Sequence, residues 1–344
     1  MAPLDTGSAD RAEILSVDAL VRHFSKRRAH PFAKSEVIRA VDGISFDLRE
    51  GETLGLVGES GCGKTTTGRL VLGIDEPTGG TVRFDGKAVS GMSAAAWRDL
   101  RRDMQMIFQD PMGALDPRMT VAAQIEEPLK IHGIGTKDER RAKVLDMLAA
   151  VGLPEPIRTR YPHELSGGQQ QRVVIARALI LKPRLIVCDE PVSALDVSVQ
   201  AQVVNLLADL QAKFNLAYLF ISHDLKVVRH LSHRVAVMYL GEIVETGPRD
   251  ALFDNPLHPY TQALMSAVPV PDPEADHQRI ILTGDPPSPI NPPTGCRFHT
   301  RCSYAEAVCA EKAPALKTAG HDQRVACHIV DGTITPRRTA AAGG

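Results

Sequence analysis

The sequence predicts an α/β protein whose sheet is mostly parallel and covered by helices on both faces. Two observations favour this fold class. Strand-like and helix-like segments alternate along the chain, and short buried strands such as residues 53–57 precede helices. The 344 residues exceed one average domain, so a large domain with an appendage is expected. Strands of parallel sheets are buried on both faces and are therefore apolar throughout. Ligands of such sheets bind beyond the carboxyl ends of the strands.

Hydrophobic periodicity places the individual elements, with a period near two for strands and near 3.6 for helices. Strands are predicted at residues 14–24, 37–48, 53–57, 104–108, 184–188, 216–221, 235–239 and 242–245. Helices are predicted at residues 64–72, 125–130, 137–151, 168–181, 197–214 and 225–230. The segment 111–165 is predicted to be an inserted helical stretch.

The charge balance and the apolar runs exclude several classes of protein. Lys and Arg total 40 against 41 Asp and Glu, so the formal net charge is −1. General nucleic-acid binding needs a basic field, which this composition lacks. No apolar run approaches the ~18 residues that a membrane-spanning helix needs. Residues 1–13 are polar and do not resemble a signal peptide. We therefore expect a cytosolic protein whose six cysteines do not form disulfides.

Prolines and cysteines are concentrated towards the end of the chain. Prolines crowd residues 269–293, and proline-rich chain without hydrophobic periodicity is typical of an extended connector. Four of the six cysteines follow this stretch, at Cys296, Cys302, Cys309 and Cys327. The sequence therefore predicts a domain boundary near residue 268 and a small cysteine-rich tail.

Residues 58–65, GESGCGKT, fit the full phosphate-loop pattern, with a predicted strand before them and a predicted helix after them. Glycines let backbone N–H groups surround phosphate oxygens without a Cβ clash. Lys64 would supply a cation to the β- and γ-phosphates, and the Thr65 hydroxyl would reach Mg²⁺. The helix start adds partial positive charge. The alternative is a chance glycine-rich turn.

Residues 185–190, LIVCDE, are four apolar residues followed by two acids. A buried strand that delivers carboxylates at its tip suits the Mg²⁺-holding partner of a phosphate loop. Asp189 is the candidate for Mg²⁺, and Glu190 is the candidate general base for the attacking water. The alternative is a strand that ends in solvated acids.

Residues 165–169, LSGGQ, open a strongly predicted helix. Ser166 is a natural N-cap, and glycines expose backbone N–H groups. Helix capping alone is one interpretation. Capping does not require two glycines, however, and each glycine lowers helix stability. A second phosphate contact is therefore the preferred interpretation.

These motifs, in this order, resemble the nucleotide-binding subunit of ATP-binding cassette (ABC) transporters. The family's Walker A loop, signature and Walker B strand match residues 58–65, 165–169 and 185–190, and its D-loop matches residues 193–196. Gln109 falls at the family's Q-loop and His223 at its switch histidine. The resemblance implies a phosphate-loop (RecA-like) ABC domain with an antiparallel β subdomain, an inserted helical subdomain at about 111–165 and a small Cys-rich C-terminal extension.

The resemblance also implies the site residues. Glu190 would be the base, His223 would contact the γ-phosphate and position the water, and Gln109 would sense γ-phosphate and Mg²⁺. The implied Mg²⁺ ligands are Thr65, Gln109 and Asp189. The implied nucleotide contacts are Phe24, Gly58, Glu59, Ser60, Gly61, Cys62, Gly63, Lys64, Thr65, Thr66, Ser166, Gly167, Gly168, Gln169 and Asp196. Phe24 would stack on adenine, with a place in the strand core as the alternative.

The implied assembly has two cassettes head to tail, with each ATP between the phosphate loop of one and the signature of the other. The second ATPase subunit is expected to be a different chain. Two membrane permease subunits complete the transporter, and a periplasmic or extracellular substrate-binding protein acts indirectly. No nucleic-acid partner is expected. The chain would lie peripherally at the cytoplasmic face of the cell (inner) membrane, as a hydrolase and translocase subunit.

Residues 255–261 and the tail are similar to the peptide-importer group, and the segment 190–198 also resembles that group. The likeness is to the second ATPase of the dipeptide system. It implies an ABC ATPase domain at 13–268, a connector at 269–293 and an oligopeptide-transporter extension at 294–335, with di- or oligopeptide cargo. Nickel, glutathione or another small solute is the alternative cargo. A cassette ATPase acting on ribosomes or DNA and an exporter ATPase are the rival classes.

The tail cysteines are spaced irregularly and lack the two-residue pairs of most structural zinc sites. Four thiolates at such spacing suit an iron–sulfur cluster. The peptide-importer resemblance implies a [4Fe–4S] cluster on Cys296, Cys302, Cys309 and Cys327. Zinc and unligated buried thiols are the alternatives. Cys62 and Cys188, inside the Walker motifs, are expected to be packing residues.

Overall fold

The structure, a computed structural model, describes residues 11–25, 36–268, 280–320 and 322–334. The chain divides into two compact units. The first unit comprises Met1–Leu15, Leu48–Thr53 and Phe84–Ser222, and the second comprises Ser16–Asp47, Leu54–Arg83 and His223–Gly344. Each unit therefore combines chain from before and after the phosphate loop.

The described residues contain strands at all the predicted places and at four others. These are β1 (Glu13–Ser25), β2 (Val37–Arg49), β3 (Thr53–Val57), β4 (Gly79–Phe84), β5 (Lys87–Ala88), β6 (Met104–Ile107), β7 (Leu185–Asp189), β8 (Ala217–Ile221), β9 (Arg234–Tyr239), β10 (Glu242–Pro248), β11 (Lys317–Thr318) and β12 (Arg324–Val325). The strands β4, β5, β11 and β12 were not predicted, because they are short or carry many exposed residues.

The helices follow the prediction with small shifts of their ends. They are α1 (Lys64–Val71), α2 (Ala94–Leu100), α3 (Pro111–Ala114), α4 (Val121–Ile131), α5 (Lys137–Ala150), α6 (Gly167–Leu179), α7 (Val197–Phe214), α8 (Leu225–Leu231), α9 (Arg249–Asp254), α10 (Pro259–Ser266) and α11 (Ala307–Glu311). The 3-10 turns are Glu155–Thr159, Pro162–Glu164 and His299–Arg301. The short helices α2, α3, α9, α10 and α11 were not predicted.

In the first unit, β6, β7 and β8 are parallel neighbours. Every residue of β7 and β8 is buried, as the apolar pattern predicts. The stretch 111–165 contains α3, α4, α5 and two of the 3-10 turns. α4 begins earlier than predicted because the Thr120 hydroxyl caps its first turn. α5 begins with a reciprocal capping box between Thr136 and Glu139.

The second unit corrects the prediction of a mostly parallel sheet, because it mixes parallel and antiparallel pairs. β3 is parallel to β9, whereas β10 is antiparallel to both β9 and β12, and β11 is antiparallel to β12. The physical reason is a two-residue hairpin between β9 and β10. Leu240 and Gly241 both have positive φ there, 43° and 84°, which suits the tight turns of β-hairpins. The tail thus adds two strands to this unit.

A separate set of strands in the second unit has the order β2-β1-β4. The predicted connector falls partly outside the described residues, at 269–279. Its described part, 280–293, has no helix or strand, and the carbonyl of Pro289 accepts a hydrogen bond from the N–H of Arg39 at 3.0 Å. None of the helices within the described residues combines the length and the apolar character needed to span a bilayer.

Candidate active site

The phosphate loop joins the end of β3 to the start of α1. All three of its glycines have φ values that side chains rarely adopt, 151° at Gly58, 78° at Gly61 and 109° at Gly63. A Cβ at Gly58 would collide with the carbonyl of Met238, and one at Gly63 with the carbonyl of Ala40. Glycine is therefore required at both positions for the loop to keep this shape.

Lys64 lies inside the phosphate loop and is 5% exposed. Its ammonium donates hydrogen bonds to the carbonyl oxygens of Gly58 at 2.8 Å and Glu59 at 3.0 Å. Both acceptors belong to the loop, so the cation braces the loop from within. A phosphate oxygen is a stronger acceptor for an ammonium than a neutral carbonyl, because it carries negative charge. The ammonium of Lys64 is thus placed to replace one of its carbonyl acceptors with a phosphate oxygen.

The start of α1 suits an anion. Its N-cap is Gly63, no side chain caps it, and its first turn contains no acidic residue. The first N–H groups of a helix have no acceptor within the helix and carry partial positive charge. Ser60, Gly61 and Thr65 are exposed here, Glu59 and Thr66 are half-buried, and Cys62 is buried. Burial raises the pKa of the Cys62 thiol, which agrees with a packing role.

Asp189 and Glu190 lie in different settings at the end of β7. Asp189, the last residue of the strand, is buried, and Glu190 is half-buried. Glu190 has a φ of 47°, in the left-handed region, while its N–H still donates to the carbonyl of Ile221 on β8 at 2.9 Å. Such a conformation costs a residue other than glycine about 1–3 kcal/mol. The turn therefore fixes the direction of the Glu190 backbone directly after the strand.

Gln109 and Glu190 meet in the first unit. They follow the parallel neighbours β6 and β7, in which Ile107 lies opposite Cys188. The Nε2 of Gln109 donates a hydrogen bond to Oε2 of Glu190 at 3.0 Å. A neutral amide orients a carboxylate without removing its charge, so Glu190 keeps its capacity to accept a proton. Both residues were predicted to belong to the site, but the hydrogen bond between them was not predicted.

The signature residues have local structural partners. The Ser166 hydroxyl accepts from the N–H of Gln169 at 3.4 Å, and the Gln169 side chain accepts from the N–H of Ser166 at 3.1 Å. This reciprocal capping box starts α6. A Cβ at Gly168 would lie 2.6 Å from a methyl carbon of Val199, so close packing explains that glycine. The predicted phosphate contact therefore rests on the family pattern rather than on these contacts.

The turn between β7 and α7 contains the D-loop residues. The side-chain amide of Gln200 donates to the carbonyls of Val192 at 3.0 Å and Leu195 at 2.9 Å, which fixes the turn from α7. Asp196 is the N-cap residue of α7 and is exposed, and Val197 beside it is also exposed. The structure thus presents Asp196 on a surface.

His223 and Phe24 belong to the second unit. His223 is exposed and precedes Asp224, whose carboxylate caps α8. Phe24 is half-buried, and the guanidinium carbon of Arg22 lies 4.4 Å from its ring centre. Phe24 is therefore not part of the buried core, which was the alternative interpretation of this residue.

The four tail cysteines line one small cavity of the second unit, together with histidine, proline, aromatic and isoleucine side chains. All four are free thiols. Burial, with a smaller contribution from the neighbouring thiols, raises the pKa of Cys296 to about 12 and of Cys302 to about 11. Within the described residues, no three His, Cys, Asp or Glu side chains are arranged to hold one metal ion. The structure therefore brings the four tail thiols to the lining of one cavity.

Two contacts to the phosphate loop were missed by the sequence analysis. The Tyr260 hydroxyl accepts a hydrogen bond from the N–H of Glu59 at 2.8 Å, and Arg301 forms an ion pair with the Glu59 carboxylate. Tyr260 lies in the segment 255–261, for which only a family resemblance was noted. No role was predicted for Arg301. No local pattern could have revealed either contact, because folding alone brings these residues together.

Comparison with known proteins gives matches over both parts of the chain. A family model described as "ABC transporter" matches residues 41–193, and one described as "Oligopeptide/dipeptide transporter, C-terminal region" matches residues 244–309. The oligopeptide transport ATP-binding protein AppF of Bacillus subtilis is 51% identical over 94% of this chain and 99% of its own length. The oligopeptide transport ATP-binding protein OppF of Escherichia coli is 54% identical over 86% of this chain and 89% of its own length.

A solved structure supports the same assignment. The ATP-binding cassette MJ0796, a dimer in a post-hydrolysis state with ADP and Pi, is 29% identical, with a TM-score of 0.61 over 69% of this chain and 99% of that one. This confirms the ABC cassette fold with its mixed sheet and helices. The first family match includes the phosphate loop, the signature and the Walker B strand. The chain therefore belongs to the oligopeptide transport ATP-binding proteins of the ABC transporter family.

Proposed function

We propose that this chain binds and hydrolyses ATP and thereby powers the import of di- and oligopeptides as one subunit of an ABC transporter. The observation that carries the proposal is the phosphate loop, with its internal lysine, its two required glycines and its uncapped helix start. The names of the relatives, oligopeptide transport ATP-binding proteins, support the peptide cargo.

The nucleotide is held mainly by the phosphate loop. Backbone N–H groups of the loop and of the first turn of α1 surround the phosphates, and Lys64 supplies the cation. Phe24 offers a half-exposed ring to adenine. The residues assigned to this part of the site are Phe24, Gly58, Glu59, Ser60, Gly61, Cys62, Gly63, Lys64, Thr65 and Thr66.

Thr65, Gln109 and Asp189 are the proposed ligands of Mg²⁺. Hydroxyl, amide and carboxylate oxygens are the donors that Mg²⁺ prefers, so the chemistry of this set fits the ion. When bound, Mg²⁺ stabilises negative charge on the β- and γ-phosphates. Asp189 suits this role because the buried end of β7 holds its backbone in place.

Glu190 is the proposed general base. It takes a proton from water as the water oxygen attacks the γ-phosphorus, and the bond to the bridging oxygen of the β-phosphate breaks. Gln109 keeps the carboxylate oriented through the hydrogen bond at 3.0 Å. His223 contacts the γ-phosphate and positions the water.

The signature and the D-loop are proposed to serve the ATP of a second cassette, arranged head to tail. The assigned residues are Ser166, Gly167, Gly168, Gln169 and Asp196. The helix start at Ser166 provides N–H groups of the first turn of α6, and Asp196 is exposed. The dimeric state of MJ0796 supports such a pairing. ATP would stabilise the closed dimer, and hydrolysis would release it.

The remaining partners follow from the same proposal. The second cassette is a different chain, two permease subunits span the membrane, and a substrate-binding protein delivers cargo. The chain lies peripherally at the cytoplasmic face of the cell membrane. Its organisation is an ABC domain at 13–268 with a helical insert and an antiparallel β subdomain, a connector at 269–293 and a cysteine-rich extension at 294–335.

The four tail cysteines are proposed to hold a [4Fe–4S] cluster. Four free thiols lining one cavity are a donor set that suits such a cluster, because thiolates are the usual ligands of iron–sulfur clusters. Visible absorbance with four irons and four sulfides per chain, lost on Cys302→Ser, is the expected result. Stoichiometric zinc, or neither metal in anaerobically purified protein, would contradict it.

The test of hydrolysis compares two substitutions in the first unit. Glu190→Gln should keep ATP binding but lower turnover roughly 10²–10⁴-fold, because the amide cannot accept a proton. The control is Glu155→Gln. The Glu155 side chain is 61% exposed, and its substitution should leave ATP binding and turnover unchanged. Near-normal turnover by Glu190→Gln would contradict the assignment of the base.

The test of transport uses the chain expressed with its candidate permeases. Co-purification with two permeases, and ATP hydrolysis that rises when a peptide-loaded binding protein is added, are the expected results. Stimulation by nickel or glutathione instead would identify the alternative cargo. Association with ribosomes or DNA would favour the rival class.

A further inference from the structure

The C-terminal segment contacts the phosphate loop through a partly buried ion pair. The guanidinium of Arg301 donates to both carboxylate oxygens of Glu59, at 2.7 and 3.1 Å. The Arg301 side chain is 7% exposed and that of Glu59 is 26% exposed. Two parallel hydrogen bonds of this kind fix geometry as well as contributing energy. Glu59 is therefore held in one orientation by a residue of the tail.

Glu59 is the principal partner of the Arg301 charge. The other contact of the guanidinium is with the Tyr239 hydroxyl at 3.5 Å, and the Nε of Arg301 is buried with no hydrogen-bond partner among the described residues. Burial by itself lowers the pKa of Arg301, but the bonds to Glu59 and Tyr239 outweigh burial and raise it. A buried cation that loses its one strong partner is left uncompensated, which is costly. Arg301 therefore favours the position of Glu59 that keeps the pair intact.

A second contact holds the backbone of the same residue. The hydroxyl of Tyr260 accepts the N–H of Glu59 at 2.8 Å. The Tyr260 ring packs against Tyr239 at 4.7 Å and against Phe298 at 5.4 Å between ring centres, and all three rings are buried. Phe298 lies three positions before Arg301, so one short segment supports both the side chain and the backbone of Glu59.

Glu59 in turn touches the lysine of the loop. Its carbonyl accepts a hydrogen bond from the ammonium of Lys64 at 3.0 Å. The connected path therefore runs from Arg301 through Glu59 to Lys64, with every step a hydrogen bond within the second unit. A shift of Glu59 would move an acceptor of the cation that meets the phosphates.

We propose that Arg301 is a positioning residue that sets the shape of the phosphate loop through Glu59, so that the affinity of this chain for ATP depends on its C-terminal segment. This inference rests on the proposed function, since it concerns the same nucleotide. It adds a residue that lies outside every motif of the nucleotide site. Arg301 touches neither substrate nor the reacting atoms in this role.

The experiment measures the Kd of the full-length chain for a fluorescent ATP analogue with Mg²⁺. Arg301→Met should raise Kd about tenfold, because the partner of a buried charged hydrogen bond is lost. Arg301→Lys keeps the charge but loses the bidentate geometry. Its Kd should therefore lie between those of the unmodified chain and of Arg301→Met. Arg229→Met removes an exposed pair with Asp254 in the same unit and should leave Kd unchanged.

A double-mutant cycle separates positioning from general damage. Glu59→Gln should weaken binding by itself, and the combination with Arg301→Met should weaken it no further than the larger single change. In the assembled transporter, Arg301→Met should raise KM for ATP while kcat changes less than about twofold. A merely structural loss would lower kcat with the folded fraction and leave KM unchanged.

The outcomes distinguish this inference from the proposed function. If the unmodified chain does not bind the analogue, the proposed function is wrong. If it binds and Arg301→Met binds equally well, or if the two losses add fully, only the positioning role is wrong. Should Arg301→Met fail to fold, Arg301→Lys and Glu59→Gln carry the same test.

Discussion

The starts of α1 and α6 are both proposed to meet phosphate, yet they are built differently. α1 begins after Gly63, without any side-chain cap, and its first residue is the buried Lys64. α6 begins with Ser166 and Gln169 capping each other. Gly63 is required by its backbone angle and a carbonyl neighbour, whereas Gly168 is required by the side chain of Val199.

This difference separates two reasons for a glycine-rich helix start. At α1 no side chain caps the helix start, and Gly58 and Gly63 keep the loop in a shape that leaves the first N–H groups open to an anion. At α6 capping and packing already account for Ser166, Gln169 and Gly168. A phosphate contact at α6 must therefore coexist with a structural role, and experiments have to separate the two.

Of the substitutions that compare α1 with α6, the largest effect is expected on ATP binding when Lys64 of α1 is replaced. Lys64→Ala should weaken the binding of ATP roughly 100-fold, since a charge-assisted bond to phosphate contributes about 1.5–3 kcal/mol. Binding of a fluorescent ATP analogue to the purified chain measures this. Lys213→Ala, an exposed lysine on α7, is the control and should bind normally. Unchanged affinity of Lys64→Ala would contradict the role of the phosphate loop.

Much of this contrast was predictable from local sequence. The strand–loop–helix order around Lys64 and the N-cap at Ser166 both follow from residue types at fixed spacing, and the structure has them at those places. The Gly168–Val199 contact was not predictable, because it depends on how α6 packs against the start of α7. Packing against Val199 is thus a reason for Gly168 that local sequence does not reveal.

The same distinction applies to the carboxylates. Asp189 at the tip of a buried strand was predictable from four apolar residues followed by acids. The hydrogen bond between Gln109 and Glu190 needed the pairing of β6 with β7, which the sequence does not specify. The ion pair of Glu59 with Arg301 spans most of the chain and has no local signal.

A substitution of intermediate effect is expected at Gly168, where the first quantity to change is the stability of the fold. Gly168→Ala should lower the free energy of unfolding by about 1–3 kcal/mol, because its Cβ overpacks against Val199. Adding Val199→Ala removes the obstructing methyl groups and should restore much of that stability. Chemical denaturation of the single and double variants measures the recovery.

The same pair of variants tests the phosphate contact. If Gly168 also faces the γ-phosphate of a second cassette, the double variant should recover stability while the ATPase rate of the assembled transporter stays at least about tenfold low. Recovery of the ATPase rate together with stability would show that this glycine serves packing alone. The glycines before α1 would then serve phosphate binding, whereas Gly168 of α6 would serve only packing.

The smallest effect is expected at Ser166, and it has a close internal control. Ser166→Ala should cost about 1 kcal/mol of stability through the lost cap. Thr136→Ala removes the equivalent cap of α5, which has the same reciprocal capping box in the same unit, and should cost a similar amount. Only Ser166→Ala should also lower the ATPase rate of the assembled transporter, because only that helix start is proposed to face a nucleotide. Equal ATPase rates in the two variants would leave Ser166 a cap and nothing more, and would confine phosphate recognition by this chain to the start of α1.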